Sequence, residues 1–185
     1  MNFDTLAYVA EKINNQNIRW GLGGSLVLHH YGLIDDPNDM DILVSLGDAE
    51  ALDDVLQSIG ERKEKEATLT YKTKFFNQYK VKTMDIDVMG GFTIKHSRGD
   101  YEFPFDEESI IGCMERKGVK IPLTSLEDWY IVYQLLPNRE EKVKLIEEYF
   151  IKHGIKHHQL IERALQMCLP PEVISRTKEL LAEVG

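Results

Sequence analysis

The chain has 185 residues, 43% of them hydrophobic, which is enough apolar material for one sizeable packed core and argues against disorder. Its 31 acidic residues outnumber its 22 basic ones, giving a formal net charge of -9, so we do not expect extensive binding to nucleic acid phosphates. The two cysteines stand far apart, the N-terminus lacks a basic apolar leader and no apolar run is long enough for a bilayer, so we expect a cytoplasmic protein with no membrane partner.

The N-terminal third alternates helical and strand patterns. Apolar residues at helical spacing predict a first helix over about 3–14, and a short alternating strand is predicted over 18–22. Gly23-Gly24 breaks this strand, and we expect Ser25 to cap a second helix that runs to about Tyr31. Loop chemistry follows, which separates this helix from the next strand.

The middle of the chain is predicted to be mainly β-structure. Met40 to Val44 has the apolar character of a buried strand, and a helix is expected from Asp48 to Ile59. Two β-rich runs between Ala67 and Val88 predict a hairpin, with Asn77-Gln78 as its turn. Further short strands are predicted near 92–95, 101–103 and 119–121.

The pattern changes at Pro122, after which helical spacing dominates. Ser125 begins a capping-box motif that is typical of a helix N-terminus. Helices are predicted near 125–135, 138–153, 156–167 and 171–183. The sequence therefore predicts an α+β N-terminal part over 1–122, with a mixed β-sheet and flanking helices, and a helical C-terminal part over 123–185 that packs on it.

Acidic residues on two predicted strands indicate a metal site. Asp39 and Asp41 project from the same face of one strand, because side chains alternate along it. Like charges this close are unfavourable without a cation between them, and oxygen ligands suit Mg²⁺ or Mn²⁺. Asp85 and Asp87 share a face of the later strand, and either can supply a third carboxylate. Three carboxylates from two strands are the donor set of a two-metal phosphoryl-transfer site.

The glycine turn supplies a candidate phosphate site. Gly23 and Gly24 let the backbone approach a ligand closely, and the following helix N-terminus offers free N–H groups. Ser25 adds a hydroxyl donor. Thirteen residues separate Ser25 from Asp39 along the sequence, enough for the helix and a return loop to a neighbouring strand. We therefore expect the phosphate site and the metal site to be adjacent.

The succession Gly-Gly-Ser, a spacer, Asp-x-Asp before apolar residues and a later strand Asp resembles the DNA-polymerase-beta-like nucleotidyltransferase superfamily. The resemblance covers about residues 18–92 and is to small bacterial and archaeal members, similar to antibiotic-type and toxin-type nucleotidyltransferases. It implies the nucleotidyltransferase fold. It also implies that Gly23, Gly24 and Ser25 bind a nucleoside triphosphate.

The same resemblance assigns the acids. It implies that Asp39 and Asp41 bind both metal ions, and that Asp87 binds one metal and accepts the proton of the attacking hydroxyl. Asp87 is preferred because the segment from Asp87 to Phe92 resembles the strand end of small bacterial members; Asp85 remains the alternative.

A cation near the nucleotide is also implied by the resemblance, and Arg139 and Lys142 are the candidates. The surrounding segment, 136–142, departs from the Arg-x-Lys-Asp pattern of such members. Fewer matching residues therefore support the assignment of these two cations than support the assignment of the acids.

The function implied by the resemblance is transfer of a nucleoside monophosphate from a nucleoside triphosphate to an acceptor hydroxyl, with release of pyrophosphate. The acceptor is a small molecule, a protein or a tRNA, and the cofactor is Mg²⁺ or Mn²⁺. Two alternatives stay open. One is a nucleotide-binding or regulatory module of the same fold without transfer, such as a toxin–antitoxin component. The other is a structural α+β protein whose acids only hold a metal.

Overall fold

The computed structural model describes residues 1–63 and 72–184. Its helices are α1 (Phe3–Asn14), α2 (Gly24–His30), α3 (Ala49–Ile59), α4 (Leu126–Leu135), α5 (Glu140–His153), α6 (His158–Leu165) and α7 (Pro171–Val184). Its strands are β1 (Trp20–Leu22), β2 (Met40–Val44), β3 (Glu61–Lys63), β4 (Phe75–Val81), β5 (Met84–Gly90), β6 (Thr93–His96), β7 (Gly99–Glu102), β8 (Ile110–Arg116) and β9 (Val119–Thr124).

The strands form one mixed sheet and one separate hairpin. The sheet has the order β3-β4-β5-β2-β1-β9-β8, and β6 pairs with β7 outside it. Strand β2 runs parallel to β5, and β1 runs parallel to β9, whereas the other neighbours are antiparallel. This mixed sheet with flanking helices confirms the predicted α+β class.

Each face of the sheet is covered by a different set of helices. Along β2, Met40, Ile42 and Val44 pack in a cluster with helices α1 and α3. Leu43 points the other way, into a cluster formed mainly by the C-terminal helices. Because side chains alternate along a strand, Asp41 lies on the face of Leu43. The helical part of the chain therefore covers the face of the sheet that carries the acids.

Helix α4 is the central element of the C-terminal part. Eight of its residues, Leu126 to Tyr133, are buried, because the sheet, the β6–β7 hairpin and the helices α2, α5, α6 and α7 surround it. Ser125 caps the helix, its Oγ accepting a 2.9 Å hydrogen bond from the Asp128 backbone N–H. Strand β9 ends just before this cap, so secondary structure changes close to residue 122, while the division into two parts stays a prediction.

The predicted hairpin turn at Asn77-Gln78 is wrong. Both residues lie inside β4, and the turn lies at Lys82-Thr83, where Lys82 has a φ of 56°. Val81 pairs with Met84 across this turn, so the register buries the apolar alternation of β4 and β5. Asn77 and Gln78 have the polar composition of a turn, but in β4 Gln78 pairs with Asp87 of β5 and donates a hydrogen bond to it. The first residues of the predicted hairpin, 67–71, lie outside the described residues.

Three further details differ from the sequence prediction. Gly23, not Ser25, occupies the N-cap position of α2. Strand β3 was missed because its three residues are charged and exposed, which leaves no apolar pattern to read. Strand β8 was missed because Gly112 and several exposed polar residues interrupt its alternation, and its register shifts between Ile110 and Gly112.

Arg163 of α6 joins three separate elements. Its guanidinium donates to both oxygens of Asp106, at 3.1 and 3.0 Å, in the segment before β8. It also lies 3.6 Å from a carboxylate oxygen of Asp128, which is completely buried. Burial raises the pKa of Asp128 to about 7, against the effect of hydrogen bonding and of Arg163. The folded protein therefore carries a buried negative charge above neutral pH, and Arg163 offsets it.

We predict that Arg163→Met destabilises the fold more at about pH 8 than at about pH 5.5. At the lower pH the Asp128 carboxyl is protonated in the folded protein, so it needs no cation beside it. At the higher pH the variant leaves a buried Asp128 carboxylate without its partner, at a cost of about 3 kcal/mol. Thermal unfolding of the variant and the unaltered chain at both pH values measures the difference.

Arg176→Met is the matched control. Arg176 also forms ion pairs, but with Glu140 and Glu147, and hydrogen bonds from Arg176 and Tyr130 outweigh burial to leave the pKa of Glu147 below its usual value. Glu147 is therefore ionised throughout the range, and the loss of stability should not depend on pH. An equal pH dependence in both variants would contradict the assignment to Asp128.

Candidate active site

The three predicted acids converge on one point. Strands β2 and β5 are parallel neighbours, and Asp41 is directly paired in register with Asp87. Asp39 lies one residue before β2, on the same side. One carboxylate oxygen from each of the three residues lies within 4.8 Å of the other two. Parallel pairing of the two strands therefore creates the cluster from residues almost 50 positions apart in the chain.

Asp85 lies elsewhere. Its carboxylate forms an exposed ion pair with Lys63 of the edge strand β3, with a nitrogen–oxygen distance of 2.5 Å. The hydrogen bond from Lys63 holds the pKa of Asp85 below its usual value. Asp87 instead accepts a 3.0 Å hydrogen bond from Gln78 Nε2, on the neighbouring strand β4. Of the two alternative third acids, Asp87 is the one that the structure brings to Asp39 and Asp41.

Mutual repulsion and partial burial make the cluster a good fit for a cation. Burial, followed by the charges of Asp39 and Asp87, raises the pKa of Asp41 to about 8. Burial also raises the pKa of Asp87, against the hydrogen bond from Gln78. Three carboxylates are hard oxygen donors of the kind that Mg²⁺ and Mn²⁺ prefer. A divalent ion held by Asp39, Asp41 and Asp87 would relieve the repulsion that the fold imposes.

The glycine turn fits tightly against this cluster. Gly24 has a φ of +59°, and a Cβ atom added to it would lie 1.8 Å from Oδ2 of Asp41. A side chain at this position would therefore meet both an unfavourable backbone conformation and a carboxylate. The backbone N–H of Gly23 donates a 2.9 Å hydrogen bond to the carbonyl oxygen of Asp41. The turn and the acid are thus held in direct contact.

Ser25 follows the turn and directs a hydroxyl toward the same space. The residue is 4% exposed, and its Oγ has no hydrogen-bond partner among the described residues. A buried hydroxyl without a partner is costly, so its position calls for a ligand that completes it. A hydroxyl donor beside a carboxylate cluster fits an anionic ligand that also carries the metal.

These residues share one cavity of about 230 Å³. Its lining residues are Ser25, Asn38, Asp39, Asp41, Asp87, Met89, Phe92, Trp129, Tyr133, Leu136, Arg139 and Lys142. Strands and the glycine turn form one wall, and helices α4 and α5 with their connecting loop form the other. A larger cavity of about 470 Å³, next to Phe103 and Met167, contains none of the three acids.

The two predicted cations lie on the helical wall. Arg139 and Lys142 line the cavity opposite the carboxylates, and the Nζ of Lys142 lies 4.8 Å from the ring centre of Tyr133. Burial, followed by the charge of Arg139, lowers the pKa of Lys142, while Asp41 and Asp39 act in the opposite direction. Positive groups facing an acidic cluster across a narrow cavity can bind a ligand that carries both phosphates and a metal ion.

Several residues near the acids had no sequence signal: Gln78, which donates to Asp87, and the lining residues Asn38, Trp129 and Tyr133. Gln78 was predicted to lie in a turn, Asn38 in a loop, and Trp129 and Tyr133 belong to the apolar pattern of helix α4. The approach of Trp129 and Tyr133 to the acids depends on tertiary packing of α4, and that of Gln78 depends on pairing of β4 with β5; periodicity in a single sequence reveals neither. For Asn38, the one available sequence signal is its position immediately before the Asp-x-Asp motif.

Comparison with known proteins places the fold. No protein-family model matches the chain, and no curated protein matches it in sequence. A proposed nucleotidyltransferase from Thermotoga maritima shares the fold with a TM-score of 0.62 and 22% identity, over 82% of this chain and 93% of that chain.

Two antibiotic-related structures are also similar. The lincosamide antibiotic adenylyltransferase LnuA, bound to lincomycin, gives a TM-score of 0.53 and 15% identity over 84% of this chain and 99% of that chain. ANT(2'')-Ia, in complex with adenylyl-2''-tobramycin, gives a TM-score of 0.52 and 10% identity over the whole of both chains, 100% of each. The likeness confirms the predicted nucleotidyltransferase fold.

We predict that Asp41→Asn stabilises the metal-free protein at about pH 9, by roughly 2–4 °C, the shift that about 1 kcal/mol produces in a chain of this size. Because folding raises the pKa of Asp41 from 3.8 to about 8, the unaltered chain loses stability as the pH rises between these two values, so the gain should be smaller at about pH 5.5 and should disappear below about pH 4. Thermal unfolding in the presence of a chelator measures it.

Addition of millimolar Mg²⁺ should reverse the order of stability, because the ion binds the folded unaltered chain and stabilises it by mass action. Asp85→Asn is the control, since its carboxylate pairs with Lys63 and lies outside the cluster. Equal stabilisation of the unaltered chain and Asp41→Asn by Mg²⁺ would show that the cluster does not hold the ion.

Proposed function

We propose that this protein is a metal-dependent nucleotidyltransferase that moves a nucleoside monophosphate from a nucleoside triphosphate to an acceptor hydroxyl. The observation that carries the proposal is the convergence of three carboxylates with the glycine turn and the unpartnered Ser25 hydroxyl in one cavity. The fold supports it, because similar structures include an antibiotic adenylyltransferase.

The balanced reaction requires one bond to form and one to break. The acceptor hydroxyl oxygen forms a bond to the α-phosphorus of the nucleotide, the bond from this phosphorus to the bridging oxygen of the β-phosphate breaks, and pyrophosphate leaves. The proton of the hydroxyl passes to a carboxylate. Positioning and charge stabilisation carry most of the catalysis in such a transfer.

Each part of the cavity has a role in this reaction. Gly24 and Ser25 bind phosphate oxygens through the backbone of the turn and the side-chain hydroxyl. Asp39, Asp41 and Asp87 hold the metal ions. A bound Mg²⁺ would neutralise charge that develops on the phosphate and keep the attacking and leaving oxygens in line.

Asp87 is the proposed general base. It lines the same cavity as Met89 and Phe92, and burial raises its pKa above the usual value of a carboxyl group. A carboxylate whose pKa is raised accepts a proton more readily than one with the usual pKa. Gln78 fixes its orientation through the 3.0 Å hydrogen bond.

The basic residues of the helical wall complete the nucleotide site. Lys142 and Arg139 would contact the β- and γ-phosphates, whose charge the acidic wall alone repels. We propose a small-molecule hydroxyl as the acceptor, because the similar ANT(2'')-Ia structure holds adenylyl-2''-tobramycin. The acidic balance of the chain also disfavours a nucleic acid acceptor.

Transfer of label from α-labelled nucleoside triphosphates to components of a cell extract tests the reaction. We expect Asp87→Asn to lower the rate by about 10²–10⁴-fold, the usual contribution of a general base. Asp39→Asn and Asp41→Asn should abolish transfer, because they remove metal ligands. Asp85→Asn, two residues from the proposed base on the same strand, should transfer label like the unaltered chain.

Three outcomes would count against the proposal. Transfer that survives Asp39→Asn and Asp41→Asn would place the site elsewhere. Binding of Mg²⁺-nucleotide without any transfer would leave a nucleotide-binding module of the same fold, and metal binding without nucleotide binding would leave a structural metal protein.

For the basic wall, we predict that Lys142→Met weakens binding of Mg²⁺-ATP by about 10–100-fold, the effect of losing a hydrogen bond to a charged group. Binding of Mg²⁺ alone should not weaken, because Lys142 opposes a cation. Isothermal titration calorimetry measures both.

Lys144→Met is the matched control, since Lys144 lies two residues further along α5 and is exposed. An equal loss of affinity in the two variants would indicate a general electrostatic effect of the helix. It would contradict direct contact between Lys142 and the phosphates.

A further inference from the structure

The glycine turn is touched by a tryptophan from the C-terminal part of the chain. A Cβ atom added to Gly23 would lie 2.1 Å from Cζ2 and 2.8 Å from Cε2 of Trp129. The indole ring therefore lies directly against the Cα atom of Gly23, with no space for any larger residue. Trp129 is 3% exposed and belongs to helix α4, more than 100 residues away in sequence.

The orientation of this indole is fixed by a short chain of hydrogen bonds. Its Nε1–H donates to Oγ1 of Thr124 at 2.8 Å, and the Thr124 hydroxyl donates to the carbonyl oxygen of Leu22 at 2.6 Å. Leu22 is the last residue of β1, immediately before the turn. Thr124 therefore links the ring to the strand whose end the ring covers.

Aromatic neighbours hold the rest of the ring. The centroid of the Trp129 ring lies 5.4 Å from that of Tyr133, 6.4 Å from that of Phe92 and 6.3 Å from that of Phe103. These rings come from helix α4, from the segment after β5 and from the segment after β7. These contacts hold the indole beside the glycine turn while it also lines the cavity.

On its opposite side, the turn meets the metal-ligand candidate Asp41. Gly24 contacts the carboxylate, and the Gly23 N–H donates to the main-chain carbonyl. Two successive glycines have more conformational freedom than any other pair of residues, so a turn built from them needs external contacts to hold one conformation. Here the indole and Asp41 supply those contacts from two sides.

We propose that Trp129 is a positioning residue of the nucleotide site. Its ring fixes the conformation of Gly23-Gly24, and it thereby sets the Ser25 hydroxyl and the turn backbone at the distance from Asp41 that a metal-bound phosphate requires. The C-terminal helices therefore determine phosphate affinity through the turn, in addition to the direct contacts of Lys142. This inference rests on the proposed nucleotide site.

Trp129→Phe tests the inference, with Trp20→Phe as a matched control. Both tryptophans are 3% exposed and donate one indole hydrogen bond, Trp129 to Thr124 and Trp20 to Asn14, but Trp20 packs in the core on the other face of the sheet. We expect Trp129→Phe to weaken binding of Mg²⁺-ATP by about tenfold, since misplacement of a binding group by a fraction of an ångström reduces affinity and rate. Trp20→Phe should bind Mg²⁺-ATP normally after a similar loss of thermal stability.

Thr124 provides a second, milder test. Thr124→Val keeps the indole but removes its hydrogen-bond acceptor, so Mg²⁺-ATP affinity should fall, while Thr124→Ser keeps the hydroxyl and should restore it.

Trp20→Phe also leaves Trp129 as the only tryptophan, because the chain has two. The fluorescence of that protein should therefore change when Mg²⁺-ATP is added.

The outcomes separate the two levels of the proposal. If the unaltered chain binds Mg²⁺-ATP, and Trp129→Phe and Thr124→Val bind it equally well, Trp129 has no positioning role and only the inference fails. If the unaltered chain does not bind Mg²⁺-ATP at millimolar Mg²⁺, the nucleotide site itself is contradicted, and the positioning role with it.

Discussion

The central constraint in this structure is the parallel pairing of β2 and β5, which places Asp41 directly beside Asp87 and brings Asp39 to the same edge. Two adjacent carboxylates on a sheet are destabilising by themselves, and burial, followed by the charges of Asp39 and Asp87, raises the pKa of Asp41 to about 8. The fold maintains this unfavourable arrangement because the opposite faces of the same strands carry a fully apolar core. Hydrophobic packing on one face of the sheet therefore offsets the free-energy cost of the repulsion between carboxylates on the other face.

The other parts of the site depend on this arrangement. The turn at Gly23-Gly24 must follow β1 closely enough to touch Asp41, and only glycine fits there. The helical part must bring positive charge to an acidic edge, and α5 does so with Lys142. Gln78 on β4 orients Asp87 from the other side. Strand, turn and helix thus each contribute one kind of group, and none of these elements contains a complete binding site.

The sequence predicted the shared face of Asp39 and Asp41 because it depends on a local rule, whereas their meeting with Asp87 depends on the parallel pairing of β2 and β5. Alternation along a strand assigns Asp41 to the face opposite Ile42 without any knowledge of the neighbours. The choice between Asp85 and Asp87 required the structure, because it depends on which of them meets Lys63 across the sheet edge. The hairpin turn was misplaced because Asn77-Gln78 has turn composition, whereas strand pairing is decided by Tyr79 and Val81. Trp129 was indistinguishable from any buried apolar residue of a helix until its neighbour was seen to be a glycine turn.

The order of the cavity residues along the chain has a consequence for protein synthesis. The acids are complete once β5 has emerged from the ribosome, but the tryptophan that lies against the glycine turn and the lysine that faces the acids are translated about 40 to 55 residues later. Until then a nascent chain carries an acidic edge with nothing opposite it. Both walls of the cavity can therefore form only once the C-terminal helices have been translated.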